Sequence, residues 1–493
     1  MIADDGSGGR ELAVEQIEVE PSVERANPSN LLNLLSKFLQ TPGNVLLVQG
    51  QPGTGKTTLA FELLRRIEGP RIGRRTVPPN RLYVSSRVSP TKLRKHFPWI
   101  HEVVDSMSGR TATGSWAEGL HDLRVSKADD VLSKVLAAKR SLQKGLLVID
   151  SWEGALRNTT EEGRRMLESV ILSDPGESKV GVILVSESGD IGGLSYLVDG
   201  IVTLSSSDYE GRQTRMLVVN KLRGLRVQDR RGLFSLEKGR FTFLPGAEFP
   251  DRSSTSLKIP APIPHSATLF STGSPDLDMM LNGGIRKGSS LLIDVNGTVP
   301  PEAVTLLLNV VRANFVNLGG SCFILPPTTY SSENVADSLL PFVGREGLEE
   351  RVRIAEFNQA LAPEKWRMSL KGNAKEDVAI LNDYWNKGKV VPSSRLLTYD
   401  FDKVEQVYGD GLTFPGLSEI GASIRDSKAL SIGIAYRPTK VREEFLRIAD
   451  YYFKVENLSG SLLLYGVKPF TNIHGVEFAF ERGIPSVRLT EIV

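Results

Sequence analysis

The chain is poor in the residues that build covalent or metal-held frameworks. Its 493 residues include one cysteine, Cys322, so an intrachain disulfide is excluded and the thiol reads as a buried small hydrophobe. The five histidines, His96, His101, His121, His265 and His474, stand apart, with no adjoining cysteine and no His-x-x-x-His spacing. A structural zinc or haem site therefore has no support. Charge of one sign is also missing: 60 Lys and Arg against 58 Asp and Glu leave +2, so no global positive field argues for nucleic acid. No apolar run nears the roughly 20 residues needed to span a bilayer. The opening MIADDGSGGRELAVEQIEVE lacks the basic-then-apolar order of a signal peptide. These absences lead us to expect a cytoplasmic protein without membrane insertion. No spacing suggests a protease or hydrolase triad.

What is present is enough apolar sequence for two or three cores: hydrophobic residues make up 40 % of the chain. Residues 1–28 show no periodicity and read as a flexible or peripheral arm. LLNLLSKFL at 31–39 suits an amphipathic helix. The runs VLLVQG, RLYVSS, GLLVID, VGVILVS and GIVTL then read as strands, separated by the helical patterns KTTLAFELLRRI, SKADDVLSKVLAAKRSLQK and EEGRRMLESVIL. Apolar strands alternating with helices imply a mostly parallel sheet covered on both faces. TRMLVVNKLRG and GRFTFLPG read as antiparallel additions at its end. Residues 247–266, rich in Pro and Ser, read as a linker. A second alternation follows, from GSSLLIDVNG to DYYFKVEN, and again ends in antiparallel segments. The expected fold class is α/β, with one domain at 29–246 and a diverged copy at 267–493.

The strongest chemical signal is GQPGTGKT, residues 50–57. Backbone N–H groups of Gly50, Gln51, Pro52's neighbours, Gly53, Thr54 and Gly55 can wrap phosphates, with Thr58 opening the following helix. Lys56 can neutralise β and γ oxygens and Thr57 can ligate Mg²⁺. The loop follows an apolar strand and precedes a helix pattern, as phosphate binding at a helix N-terminus requires. The implied cofactors are ATP and Mg²⁺. Asp150, closing GLLVID, is placed to share the metal. Hydrolysis also needs an oriented water. Glu153 and Glu187 are candidates for orienting that water or for sensing the nucleotide, or are ordinary solvated strand-end carboxylates. Trp99, Trp116 and Trp152 read as packed aromatics or as stacking platforms for a nucleotide or partner.

On these motifs, residues 31–245 resemble an ATPase domain of the RecA superfamily, within the archaeal group joining KaiC-type ATPases, the gas-vesicle regulator GvpD and recombinase paralogues. VIDSWEG is similar to that group's second nucleotide motif and NKLRG to its late lysine–arginine finger. The resemblance implies that Lys221 and Arg223 reach across a subunit boundary to a neighbour's phosphates, in a self-associated assembly such as a hexameric ring. Residues 268–493 resemble the second domain of double-domain KaiC-like proteins, through Gly273, Leu277, Asp278, Gly283, Gly284, Gly288 and Ser289 and a strand-end Asp400. There the phosphate loop has become VNGTVPPE, with Pro301 and Glu302 at the lysine and hydroxyl positions. Proline has no N–H and glutamate the wrong charge, so the second loop is not expected to hold phosphate. The first domain departs too: Arg87 and Val88 of YVSSRVSP stand where KaiC-type ATPases carry paired glutamates, and Arg87 cannot orient water as a carboxylate does. That pair, and the arginines of RRIEGPRIGRR (Arg65, Arg66, Arg71, Arg74, Arg75), are similar to GvpD. The expected function is a regulatory Mg·ATPase with slow or partner-dependent turnover and a regulatory protein partner. A DNA-binding recombination accessory protein and a noncatalytic, nucleotide-stabilised scaffold stay open as alternatives.

Overall fold

The computed structural model describes residues 29–67, 80–104, 119–122, 144–157, 159–172, 179–187, 194–244, 258–387, 394–409, 421–481 and 484–493, with a few isolated positions between them. The arm at 1–28, Trp116 and most of the SKADDVLSKVLAAKRSLQK pattern lie outside the described residues. Helix α1 (Ser29–Gln40) leads into the first sheet, whose strands are β1 (Val45–Gln49), β2 (Asn80–Ser85), β3 (Gly119–Asp122), β4 (Lys144–Asp150), β5 (Lys179–Ser186), β6 (Gly200–Tyr209), β7 (Arg212–Leu222), β8 (Arg231–Ser235) and β9 (Thr242–Phe243). Their spatial order is β9-β8-β7-β6-β1-β5-β4-β2-β3. Pairs from β6 through β1, β5, β4 and β2 to β3 are parallel, and β7 to β9 extend the sheet antiparallel.

Continuous apolar strands are buried on both faces, as a parallel sheet needs. Leu46 and Val48 enter one core with Leu59, Phe61 and Leu63 of helix α2 (Lys56–Arg66). Val45 and Leu47 enter the other, with Trp152, Leu167 and Ile171. Trp152 is fully buried, which leaves it a packing residue.

The second sheet comprises β10 (Ser289–Val295), β11 (Ser321–Leu325), β12 (Val352–Glu356), β13 (Arg367–Ser369), β14 (Arg395–Asp400), β15 (Leu430–Ala435), β16 (Tyr451–Leu458), β17 (Ser461–Lys468), β18 (His474–Glu481) and β19 (Ile484–Glu491). Its order, β13-β12-β11-β14-β15-β10-β16-β17-β18-β19, repeats the first: β10 lies between β15 and β16 as β1 lies between β5 and β6. The β6–β7 hairpin turns through Glu210 (φ 51°) and Gly211 (φ 75°), and the equivalent β16–β17 hairpin through Ser459 (φ 52°) and Gly460 (φ 85°). Left-handed conformation at both central residues is the two-residue turn whose twist suits paired strands. The α/β expectation of two tandem RecA-like sheets with antiparallel terminal strands is borne out. Short strands β3, β8, β12 and β13 add to those read from hydropathy. Cys322 is fully buried, and its thiol is pushed up to about 12 by burial.

The halves meet along β7, β8 and β17. Leu233 and Leu244 form one apolar cluster with Leu463, Tyr465, Ile473 and Ile492. Arg212 is the polar centre of this seam. Its guanidinium donates to the carbonyls of Gly466 (2.6 Å), Thr471 (2.7 Å) and its own neighbour Glu210 (2.7 Å). It also lies 4.7 Å from the Tyr465 ring centre and 4.0 Å from that of Phe470.

Candidate functional site

The loop at residues 50–57 sits between the carboxyl end of β1 and the start of α2, the position at which parallel sheets of this class bind ligands. Gly50 is held at φ 154°, where a Cβ would stand 2.3 Å from the Leu204 carbonyl oxygen and 2.9 Å from Thr54 Oγ1, so the chain can pass only without a side chain. The Thr54 hydroxyl bonds back to the Gln51 carbonyl at 2.8 Å and closes the turn. Lys56 is buried to 7 % exposure, and its ammonium donates to the carbonyls of Gly50 (2.6 Å) and Gln51 (2.8 Å). Burial lowers the Lys56 pKa, opposed by Glu187, Asp150 and Glu153. An ammonium held by two neutral carbonyls has no direct carboxylate bond to give up before it meets an anion.

Thr57, one residue into the helix, donates to Asp150 Oδ2 at 2.6 Å. The Tyr83 hydroxyl donates to the same oxygen, and its ring is stacked on Phe61 of α2 with centroids 4.4 Å apart. Burial raises the Asp150 pKa, and the hydrogen bonds from Thr57 and Tyr83 restrain the rise. Thr58 points into the protein at 6 % exposure.

Strand register brings the remaining groups to the same level. Ser85 lies beside Asp150, Asp150 beside Val185, and Gln49 beside Ser186. Glu153 is turned onto the end of β5, accepting from Glu187 N at 3.0 Å and from the Ser186 hydroxyl. It thus anchors the β5 terminus in this structure. Arg87 follows β2 and forms an ion pair with Glu187, a partnership that neither residue's sequence context revealed. Arg215 on β7 joins the loop to the second half: it donates to the Gly53 carbonyl at 3.0 Å and to the Val493 carbonyl. No hydropathy pattern marks a polar residue whose partners are distant backbone oxygens.

Lys221 and Arg223 lie elsewhere. Lys221 pairs in register with Ile201, which is level with Leu47 of β1, about 10 Å down the strand direction from Gly50 at 3.3 Å per residue. Its ammonium donates to the carbonyls of Ser195 (3.1 Å) and Val198 (2.6 Å). Arg223 bonds Asp199 (3.2 Å) and the Tyr196 carbonyl (3.1 Å). Within one chain neither is brought to the loop.

In the second half the equivalent positions are occupied structurally. Pro301 starts helix α3 (Pro301–Asn317) and Glu302 is exposed in its first turn. Asp400, at the end of β14 where Asp150 ends β4, caps the next helix by accepting from Lys403 N at 2.8 Å, and burial pushes its carboxyl up to about 6. Arg312, fully buried on α3, bonds Thr398 (2.8 and 3.2 Å) and Asn309 (3.1 Å). Among the described residues no group of three or more His, Cys, Asp or Glu could hold a metal, and no helix is long and apolar enough to cross a membrane.

A strand–loop–helix with lysine over the loop and a strand-end aspartate beside the next hydroxyl has the architecture of a RecA-like P-loop NTPase. The family model "ATPase: KaiC" matches residues 40–247. Protein GvpD2 of Halobacterium salinarum is 26 % identical over 494 residues, covering 92 % of this chain and 95 % of that protein. Protein GvpD1 of the same organism is 23 % identical with the same coverage. A UPF0273 protein of Thermotoga maritima is 30 % identical over 217 residues, 40 % of this chain and 86 % of its own length. The chain belongs to the RecA-superfamily ATPases of the KaiC and GvpD family.

Proposed function

We propose that the chain is a Mg·ATP-binding regulatory ATPase, with one nucleotide in the first half and turnover that is slow or dependent on a partner. The observation that carries this reading is the Thr57–Asp150 hydrogen bond of 2.6 Å, which joins the start of α2 to the end of β4 beside a buried Lys56. Hydroxyl and carboxylate oxygens are the donors a small hard cation takes, so Thr57 and Asp150 would hold magnesium. Bound there, the ion would screen phosphate charge. The backbone of residues 50–58 would wrap the phosphates, and Lys56 would exchange its two carbonyl partners for β and γ oxygens. Arg87, a cation where KaiC-type ATPases carry a carboxylate, supports slow turnover more than a motor. It also favours the noncatalytic scaffold as a second reading.

In the proposed reading, residues 29–246 form the nucleotide domain and 267–493 a degenerate copy, joined by a linker at 247–266. Lys221 and Arg223 act on a neighbour's nucleotide, because their own lies beyond reach up the sheet. Nucleotide state would then bias self-association, by family likeness in a hexameric ring, and affinity for a regulatory protein partner. The test is ATP binding and phosphate release in Lys56→Ala, Lys221→Ala and their mixed oligomers. Binding lost in Lys56→Ala, with activity recovered when the two variants are mixed, supports the reading. Unchanged binding and activity in both variants would reject it. Stable binding without phosphate release selects the scaffold.

A further inference from the structure

The Arg87–Glu187 ion pair joins the segments that follow β2 and β5. Arg87 follows β2 immediately above the level of Asp150, because Ser85 and Asp150 are register partners. The adjoining Ser86 is tied to the β4 end twice, its hydroxyl donating to the Ser151 carbonyl (2.8 Å) and accepting from Ser151 N (2.9 Å). The Arg87 stem then crosses Gly154, where a Cβ would come within 3.2 Å of Arg87 Cγ. That route brings the guanidinium over the turn after Asp150 to Glu187, the first residue past β5. The arginine side chain is 50 % exposed and the glutamate side chain 33 % exposed. At that exposure a single ion pair adds little to stability, so little is lost by opening it.

Glu187's amide is held by the Glu153 carboxylate at 3.0 Å, and Glu153 also binds Ser186, so the β5 terminus is fixed while both side chains can swing. Arg87 and Glu187 both act electrostatically on Lys56, and Arg87 acts on Asp150 as well. Ser85, two residues before Arg87, is level with Asp150, and Asp150 is bonded to Thr57 of the loop, so Arg87 rises beside the position that the terminal phosphate would take between Lys56 and Asp150. Its planar fork binds two phosphate oxygens at once, and a γ-phosphate offers more charge than one carboxylate. ADP, ending one phosphate earlier, offers no such competitor.

Resting on the nucleotide-binding reading above, we infer that Arg87 is a cis γ-phosphate sensor: Glu187 holds its guanidinium when ATP is absent, and ATP, but not ADP, draws it away. Arg87 thereby discriminates the two nucleotides, and the freed Glu187 carboxylate reports the ATP state at the β5 end. No bond is made or broken in this exchange.

The experiment is calorimetric affinity for Mg·ATPγS and Mg·ADP in the full chain, compared across the natural sequence, Arg87→Ala, Arg87→Lys and Glu187→Gln. Loss of a charge-assisted forked contact should weaken ATPγS about 10-fold or more in Arg87→Ala, with ADP within about 2-fold. Arg87→Lys should recover only part of the loss, because it lacks the fork. Glu187→Gln should tighten ATPγS alone by about 3-fold or more, since a weaker competitor then holds the arginine. A misfolded variant cannot produce that opposite change. An Arg87→Ala effect equal on both nucleotides, or on neither, overturns the inference. If the natural chain binds neither nucleotide, the underlying reading fails as well. If Lys56→Ala abolishes both affinities while Arg87→Ala leaves their ratio unchanged, only the sensor fails.

Discussion

Replacing Arg212 by alanine should uncouple the two halves of the chain. The side chain is 5 % exposed and makes two hydrogen bonds across the seam, to Gly466 and Thr471, and a third to Glu210. Hydrogen bonds to a charged group are worth about 1.5–3 kcal/mol each, and a partly desolvated cation–π contact about 1–2 kcal/mol. The Gly466 carbonyl keeps the bond from Thr471 N at 3.0 Å, and water can reach part of the opened site. Neighbouring contributions also overlap, so we expect a loss of about 3–4 kcal/mol rather than the full sum. Arg212→Lys should lose about half as much, because an ammonium cannot span both carbonyls. Urea unfolding gives the free energy, and hydrogen exchange followed by mass spectrometry locates it. Exchange should rise in residues 461–473 and 231–244 and stay unchanged along β11 and β14. A loss below about 1 kcal/mol, with exchange in 461–473 unaltered, would refute the seam described above.

Gly50→Ala should cost about 2 kcal/mol or more, because its Cβ would meet the Leu204 carbonyl at 2.3 Å. Gly53→Ala, with φ 81° and open space around the new methyl, should cost about 1 kcal/mol, and thermal unfolding of the pair distinguishes the two. Burial between Phe270 and Phe315, with Lys287 nearby and only Asp278 opposing, lowers His265 from 6.5 to about 4. The neutral ring is thus the folded form, its Nδ1 accepting from Ser271 N at 3.1 Å. Its contribution is complete above pH 6.5 and is lost as pH falls towards 4. That is at most about 3 kcal/mol, and about 1–2 kcal/mol after allowing for solvent screening of a half-buried ring. Urea midpoints at pH 7 and pH 4.5 should therefore converge in His265→Gln relative to the natural chain. Equal pH dependence in both would contradict this account.

The parallel core of both sheets was legible because runs such as VLLVQ and VGVILVS have no polar face, and the loop at 50–57 because glycine, lysine and threonine recur there at fixed spacing. Strand β8 was missed: RGLFS is short and follows an arginine-rich stretch, and its burial depends on Phe243 packing over Gly232. The seam could not be read at all. Arg212 and Arg215 look like solvated charges on an amphipathic strand, and their partners are backbone oxygens more than 150 residues away in either direction. The contacts of Glu153 were hidden for a different reason. Proximity to Asp150 suggested a part in the chemistry, but which way a strand-end carboxylate turns depends on Ser186 and Glu187 arriving from another strand. Lys221 and Arg223 carry a recognisable pattern, yet only the register of β6 and β7 reveals that they lie below the level of their own loop, Lys221 beside Ile201 and so level with Leu47 of β1.

The asymmetry between the halves makes the number of nucleotides per chain the most direct test. Titration of the full chain with Mg·ATPγS should give one site per chain, lost in Lys56→Ala and retained in Asp400→Asn. Two sites per chain, or binding that survives Lys56→Ala, would contradict the account.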